Sequence, residues 1–167
     1  LGFVPDDYDE SGATQYPLHI CLHGRPREFS LFVSLSLFCA PHHATLNTGI
    51  AERGDGTSFA TLSRVAQWGP MRFISEGQTA LFNQLQVIVV QPQMPTNYAP
   101  KDTADLDAFV DYLLVHFHVD PRGVSMSGLS FGGGAAWWYA VDHAARLSAV
   151  APCAPSASTF ANTPATY

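Results

Sequence analysis

Residues 128–132 read Gly128-Leu129-Ser130-Phe131-Gly132, a serine with a glycine two positions away on each side. The stretch directly follows a short predicted strand, residues 123–127, and directly precedes a predicted helix that runs to about residue 146. A serine at so sharp a turn must adopt a strained backbone, which projects its hydroxyl away from the sheet. The flanking glycines are needed because strand and helix nearly touch at such a turn. The stretch therefore predicts Ser130 as a nucleophile.

The helix that begins at Phe131 predicts a site for developing negative charge, because a helix N-terminus presents unpaired backbone N–H groups. The N–H of Phe131 is one predicted donor of this oxyanion hole. In this kind of site, the loop that follows an earlier buried strand supplies the second donor. Here that strand covers residues 18–22 and ends in His23-Gly24. We predict that His23 is structural and is not the general base.

The elements after residue 80 alternate between strands and helices. Residues 85–90 form an apolar run typical of a strand that is covered on both faces. An apolar stripe from Leu106 to Phe117 predicts a helix, and residues 147–153 predict another buried strand. The stretch Asp120-Pro121-Arg122-Gly123 predicts a turn before the strand at 123–127. The alternation predicts the α/β class, with a parallel sheet and right-handed crossovers.

Composition excludes several classes of function. The chain has 167 residues, 47% of them hydrophobic, which suits a single globular domain. Its net charge is −6 and it contains only 8 Lys and Arg residues, so nucleic acid is not an expected partner. The cysteines, at positions 21, 39 and 153, fit no zinc spacing, so we predict no metal and no cofactor. The apolar run at 29–40 is shorter than the roughly 20 residues that span a membrane. The sequence does not indicate a cellular compartment.

Several short motifs together resemble the α/β-hydrolases, in the esterase and predicted-peptidase branch that includes polyhydroxybutyrate-depolymerase-like and feruloyl-esterase-like members. In chain order they are Tyr16-Pro17-Leu18, Leu22-His23-Gly24, Glu52-Arg53-Gly54-Asp55-Gly56, Gly69-Pro70, Val119-Asp120-Pro121-Arg122-Gly123, Gly128-Leu129-Ser130-Phe131-Gly132-Gly133 and Trp137. The resemblance covers the N-terminal and central portion of such a domain. It implies hydrolysis through an acyl-enzyme on Ser130, with Gly24, Gly128 and Gly132 as the glycines of the elbow and the oxyanion loop.

Residues 25–49 interrupt this resemblance and form an atypical insert. Without them, Gly24 would be followed directly by Ile50-Ala51-Glu52-Arg53-Gly54, which fits the family pattern with Ala51 in place of a glycine. The second oxyanion donor is therefore either Arg25, in the chain as written, or Ile50, if the loop closes without the insert. Pro26 disfavours a helical conformation for Arg25. The insert is either a natural lid loop or a translated non-coding stretch, and in both cases we expect it to lie outside the core.

The residues after Ser130 do not supply the rest of a catalytic triad. In this architecture the acid and then the histidine follow the serine in the chain. Only Asp142 and His143 do so here, and both fall within the helix that begins at Phe131. Asp142 lies about 16 Å along that helix at 1.5 Å per residue. We expect Asp142 and His143 to be solvated helix residues that cannot reach Ser130.

These observations predict a single partial α/β-hydrolase domain over residues 1–167, with a parallel sheet that ends after the strand following the nucleophile helix. The predicted function is a serine hydrolase that cleaves carboxylic esters, with a small-molecule or polymer ester as its substrate. One alternative is a serine peptidase, and the other is a non-catalytic hydrolase fragment. We expect the chain alone to be inactive and to associate through an open sheet edge.

Overall fold

The computed structural model describes residues 1–24, 59–94 and 99–155. The predictions about the insert at 25–49, and about Arg25 and Ile50, lie outside these residues. The described elements, in chain order, are β1 Gly2–Phe3, β2 Tyr16–Leu22, α1 Phe59–Val65, α2 Gly69–Ser75, α3 Ala80–Gln84, β3 Ile88–Val90, α4 Ala104–His116, β4 Val119–Leu129, α5 Phe131–His143, a short 3-10 helix Ala144–Arg146, and β5 Ala149–Cys153.

The strands form one five-stranded sheet in the order β1-β3-β2-β4-β5. Strands β2, β3, β4 and β5 pair in parallel, as the alternation of strands and helices predicts. Strand β1 pairs antiparallel with β3, so the sheet is mixed rather than wholly parallel. The sequence analysis did not identify β1, because two residues carry no periodic signal. Because the four parallel strands run in one direction, their carboxyl ends meet along one edge of the sheet.

One face of the sheet carries the main hydrophobic core. Leu18, Ile20 and Leu22 of β2 are fully buried and pack with Val124 and Met126 of β4. Helices α4 and α5 cover this face with side chains that belong to the same cluster, namely Leu106, Val110, Leu113, Ala135, Ala136 and Tyr139. The apolar stripe predicted for α4 therefore lies against the sheet. Trp138 and Tyr139 of α5 are buried, while Trp137 is partly exposed.

The opposite face of the sheet is polar at β4, where it carries Ser125 and Ser127, and has small side chains at β5. Near β3 it is buried, since Cys21 and Val89 are 8% and 1% exposed. The α1–α2 segment contacts this region: Gln91 Nε2 donates hydrogen bonds to the carbonyls of Val65 and Trp68. On β5, Ala149 and Ala151 are exposed. Helices therefore cover the main core face along its length, and the opposite face only in part among the described residues.

Two predicted boundaries are wrong. The apolar run 85–90 forms a strand only from Ile88, because Leu85 caps α3 and is 58% exposed, and Gln86 has a positive φ of 51°. The turn predicted at 120–123 lies inside β4 as a bulge, since Tyr16 pairs with Val119 but Leu18 pairs with Val124. Pro17, between those two β2 residues, has no N–H to donate to the ladder.

Two polar residues at the start of α4, Thr103 and Asp107, bond to the helix that carries Ser130 and to the residues that follow it. Thr103 precedes the helix without a capping bond, and its hydroxyl donates to Asp142 Oδ2 at 2.8 Å instead. Asp107 accepts hydrogen bonds from Tyr139 and Arg146. No helix among the described residues is both long enough and apolar enough to cross a membrane.

Candidate active site

Ser130 lies between the end of β4 and the start of α5, at the carboxyl edge of the parallel strands. Its φ of 54° and ψ of −109° confirm the predicted strained turn. A positive φ is costly for a residue with a Cβ, and strain of this kind concentrates at functional sites. Ser130 is exposed. The turn therefore presents the hydroxyl to solvent at the N-terminus of a 13-residue helix.

The glycines on either side of Ser130 are required by close backbone approaches, as predicted. A Cβ at Gly128 would lie 2.2 Å from the carbonyl oxygen of Gly132. A Cβ at Gly132 would lie 2.2 Å from the Leu22 oxygen and 2.6 Å from the His23 oxygen. Gly132, in α5, is thus constrained by the end of β2 and not by β4, the strand that precedes the elbow. Neither position has space for any side chain.

Gly133 is a third constrained glycine that sequence reasoning did not single out. A Cβ there would lie 2.6 Å from the carbonyl oxygen of Cys153 at the end of β5. The signal was available, because Gly132, Gly133 and Gly134 are consecutive and glycine is unfavourable inside helices. Gly132 and Gly133 allow the first turn of α5 to pack directly on the ends of β2, β4 and β5.

The loop after β2 reaches the elbow, as predicted. A Cβ built on Gly24 would lie 3.7 Å from Ser130 Cβ and 3.3 Å from the Leu129 carbonyl oxygen. His23 is 1% exposed. Its Nδ1 lies 2.9 Å from the Gly24 oxygen, and its Nε2 lies 2.9 Å from the Met94 nitrogen. A neutral ring with its proton on Nδ1 satisfies both bonds, so His23 holds the loop in place and is confirmed as structural.

The end of β5 holds Ser130 from the other side, a contact that no sequence pattern predicts. The Ser130 N–H donates to the Cys153 oxygen at 2.8 Å. The next residue, Ala154, has a positive φ of 46°, which is rare for alanine. Two strained non-glycine residues therefore lie at the carboxyl ends of adjacent strands. No sequence rule predicts a positive φ at an alanine, because the surrounding structure imposes it.

The described histidines other than His23 are also bonded elsewhere. His19 contacts Ser125 and Ser127 on β4. His118 Nε2 lies 3.2 Å from the Glu10 oxygen, and the His116 ring contacts the Tyr112 ring at a tilt of 39°. The remaining histidines are His143, treated next, and His42 and His43, which lie outside the described residues. Within the described part of the chain, none of these histidines is hydrogen-bonded to Ser130.

Asp142 and His143 do not reach Ser130, as predicted, but they are not merely solvated. Asp142 accepts the bond from Thr103. His143 stacks on Tyr139 and has its Nδ1 3.5 Å from Asp107 Oδ1. Both side chains therefore face α4, which the sequence could not show because contacts between helices depend on the fold.

The structure describes only one of the two predicted donors of the oxyanion hole. Phe131 is the first residue of α5 and is half-buried. The second donor, Arg25 or Ile50, lies outside the described residues. In the described ranges, no group of three or more His, Cys, Asp or Glu residues could hold a metal ion.

The sheet order, the strained serine and the crowded glycines together define an α/β-hydrolase fold. No protein-family model and no curated protein matches the sequence. Solved structures do match. A thermostable esterase is 19% identical with a TM-score of 0.58, over 90% of this chain and 35% of that chain. Fluorophosphonate-binding serine hydrolase F, FphF, of Staphylococcus aureus is 14% identical with a TM-score of 0.56, over 96% and 53%.

Est1E from Butyrivibrio proteoclasticus is 18% identical with a TM-score of 0.52, over 92% of this chain and 45% of that chain. At these identities the likeness concerns the fold, and it confirms the predicted α/β-hydrolase class of esterase-like structure. The chain spans between about a third and a half of the length of these three structures.

Proposed function

We propose that this chain is the nucleophile-bearing part of a serine hydrolase that cleaves carboxylic esters. The observation that carries the proposal is the exposed Ser130, held at φ 54° at the N-terminus of α5. A hydroxyl in that position can attack an acyl carbon while the helix end stabilises the oxyanion. The substrate is a small-molecule or polymer ester.

The proposed reaction begins with attack by Ser130 Oγ on the ester carbonyl. The tetrahedral oxyanion accepts a hydrogen bond from the Phe131 N–H and a second bond from the loop after Gly24. The alcohol then leaves with the proton that Ser130 Oγ has lost, and the acyl group remains on Ser130 until water releases it as the carboxylic acid and restores the hydroxyl. Gly24 lies close enough to Ser130 for its loop to line the same site.

This reaction also requires a general base that removes the proton from Ser130. Proton removal from serine requires a histidine that an acid orients, and the described histidines are committed to other partners. The described residues alone should therefore act as an incomplete site. Triads stripped of members retain on the order of 10³-fold acceleration over water, and we expect the chain to show no more.

The first test measures turnover of a short-chain nitrophenyl ester by the purified 167-residue chain, with Ser130→Ala as the control. We expect at most a slow reaction, which the substitution leaves largely unchanged because it comes from the oxyanion hole and binding alone, and no turnover at an enzymatic rate. Robust turnover that is lost in Ser130→Ala would show that a histidine reaches Ser130. That histidine would be His42 or His43, since both ring nitrogens of His23 are already bonded.

A second test separates the hydrolase from the non-catalytic alternative. A fluorophosphonate probe forms a covalent adduct with an activated serine, and tandem mass spectrometry locates the adduct by residue. An adduct on Ser130 supports the proposal. No adduct on Ser130, in a chain that melts cooperatively, would mean that no group of this chain activates the serine, as in a fragment without catalytic function. A serine peptidase would label equally and is distinguished by cleavage of a matched amide substrate.

A further inference from the structure

A histidine–serine cluster that does not include Ser130 lies on the face of the sheet opposite the main core. His19 of β2 is in register with Ser125 of β4, and Cys21 with Ser127. The His19 ring lies between the two hydroxyls: Nδ1 is 3.0 Å from Ser125 Oγ, and Nε2 is 2.9 Å from Ser127 Oγ. His19, Ser125 and Ser127 are all partly exposed.

The hydrogen bonds of Ser125 determine where the ring proton lies. The Ser125 hydroxyl lies 3.2 Å from the Leu18 oxygen and can donate to it; in the tautomer that keeps this bond, the Ser125 oxygen accepts from His19 Nδ1–H. Neutral imidazole carries one proton, so Nε2 is then an acceptor. The only group at hydrogen-bond distance from Nε2 among the described residues is the Ser127 hydroxyl. This places an unprotonated imidazole nitrogen next to a serine hydroxyl.

The surroundings keep His19 neutral and leave Ser127 accessible. Burial lowers the pKa of His19 below its usual 6.5, so the ring is unprotonated at neutral pH. The residues of β5 in register with Ser125 and Ser127 are Ala149 and Ala151, and both are exposed. A methyl group on the neighbouring strand leaves space for a small reagent to approach Ser127.

We propose that Ser127 is a second nucleophile of this protein, with His19 as its general base and Ser125 as the residue that orients the base. The arrangement has the roles of a catalytic triad, with a hydroxyl in place of the acid. Its substrates are activated acyl or phosphonyl donors. The site is independent of Ser130 and goes beyond the proposed function.

With a phosphonofluoridate, Ser127 Oγ attacks phosphorus, a P–O bond forms and the P–F bond breaks. Fluoride leaves, and the hydroxyl proton passes to His19 Nε2 and then to solvent. The backbone around Ser127 is committed to the sheet, since β4 pairs with both β2 and β5 at this position. Without N–H groups aimed at an oxyanion, an acyl adduct should persist. The expected product is therefore a stoichiometric adduct, without turnover.

The test is labelling of the whole chain by a fluorophosphonate, with the adduct assigned by fragments that separate Ser127 from Ser130. We expect Ser130→Ala to retain one adduct on Ser127, and Ser127→Ala to lose it. His19→Gln should slow labelling of Ser127 by about 100-fold, the typical contribution of a general base. Ser125→Ala, which frees the ring to rotate, should slow it less.

The wild-type chain keeps the test decisive if a variant fails to fold, because both serines are scored in one digest. The absence of an adduct on Ser127 in the wild-type chain would overturn the proposal, as would an unchanged labelling rate in folded His19→Gln. Labelling of Ser127 without Ser130 would support this site while counting against the proposed function. Labelling of Ser130 alone would overturn this site while supporting the proposed function.

Discussion

Gly132 has no space for a methyl group, because the Leu22 and His23 carbonyl oxygens approach its Cα from β2. In an isolated helix, replacing glycine with alanine is favourable by about 1 kcal/mol. Here the backbone of β2 cannot move without breaking the sheet, so the clash outweighs that gain. We predict that Gly132→Ala lowers the free energy of unfolding by about 3 kcal/mol, measured by urea denaturation.

A matched glycine shows whether crowding is the cause. Gly2 lies in β1, where an added Cβ would meet the Val89 oxygen only at 3.7 Å, an ordinary contact. Gly2→Ala should change stability by less than about 0.5 kcal/mol. If the two variants were equally stable, the close approach between α5 and β2 would not constrain the elbow.

His19 predicts a pH dependence of stability. Burial lowers its pKa in the folded protein, whereas the unfolded chain keeps the ordinary value of 6.5. Above that pH both states are neutral at His19 and the group has no effect. As pH falls below 6.5 the unfolded state binds the proton first, so stability decreases until the folded-state pKa is reached.

The measurement compares urea denaturation of the wild-type chain and His19→Gln between pH 7.5 and pH 5. Glutamine can bond to both serines but does not titrate. The variant should therefore lose less stability on acidification, with a difference of about 1.4 kcal/mol for each unit of pKa shift. Equal losses in the two proteins would mean that His19 is not desolvated.

At the level of elements, α4 and α5 are joined by a polar network across their packed faces. Asp107 of α4 accepts from the Tyr139 hydroxyl at 2.9 Å and from Arg146, which also binds Asp111. Tyr139 is fully buried as a residue. Burial and the hydrogen bond to Asp107 raise the pKa of Tyr139 well above its usual value, so its hydroxyl remains a donor. The network fixes how α5, and with it Ser130, packs against α4.

Replacing Asp107 should loosen that packing. In Asp107→Ala the buried Tyr139 hydroxyl loses its acceptor, and we predict a loss of about 2 kcal/mol in unfolding free energy. Asp111→Ala is the matched control, because the Asp111 side chain is 64% exposed and an exposed ion pair contributes little. Comparable effects in the two variants would contradict a special role for Asp107.

At the scale of the whole molecule, β5 is the outer strand of the described sheet and pairs there only with β4. Its side chains are small and uncharged, and charge is the usual protection of an edge strand. We expect the chain to self-associate at this edge. Ala151→Lys, on an exposed residue of β5, should shift sedimentation velocity towards the monomer.

Ala108→Lys controls for net charge, since Ala108 is exposed and lies on α4, not on β5. It should leave the association unchanged. A chain that is monomeric before any substitution, or two lysine variants with the same effect, would contradict association through β5.

The sequence by itself determined the class of fold and the position of the elbow. Local patterns were sufficient, because the alternation of strand and helix specifies a parallel sheet and a serine between crowded glycines specifies the turn. His23 could also be assigned correctly, because its place after a strand and before Gly24 is a local feature. The strand at 85–90 and the turn at 120–123 were misplaced by a few residues, since α3 and Pro17 changed how those segments pair.

Only the tertiary structure decided which polar side chains meet. Asp107 and Arg146 are far apart in the chain, as are His19 and Ser127, and no periodicity relates them. The strain at Ala154 likewise arises because β5 must pass close to Ser130 and Gly133. Sequence patterns report what a segment presents on its own surface. The partner of each group depends on strand order and helix packing, which fix distances between segments that no local signal encodes.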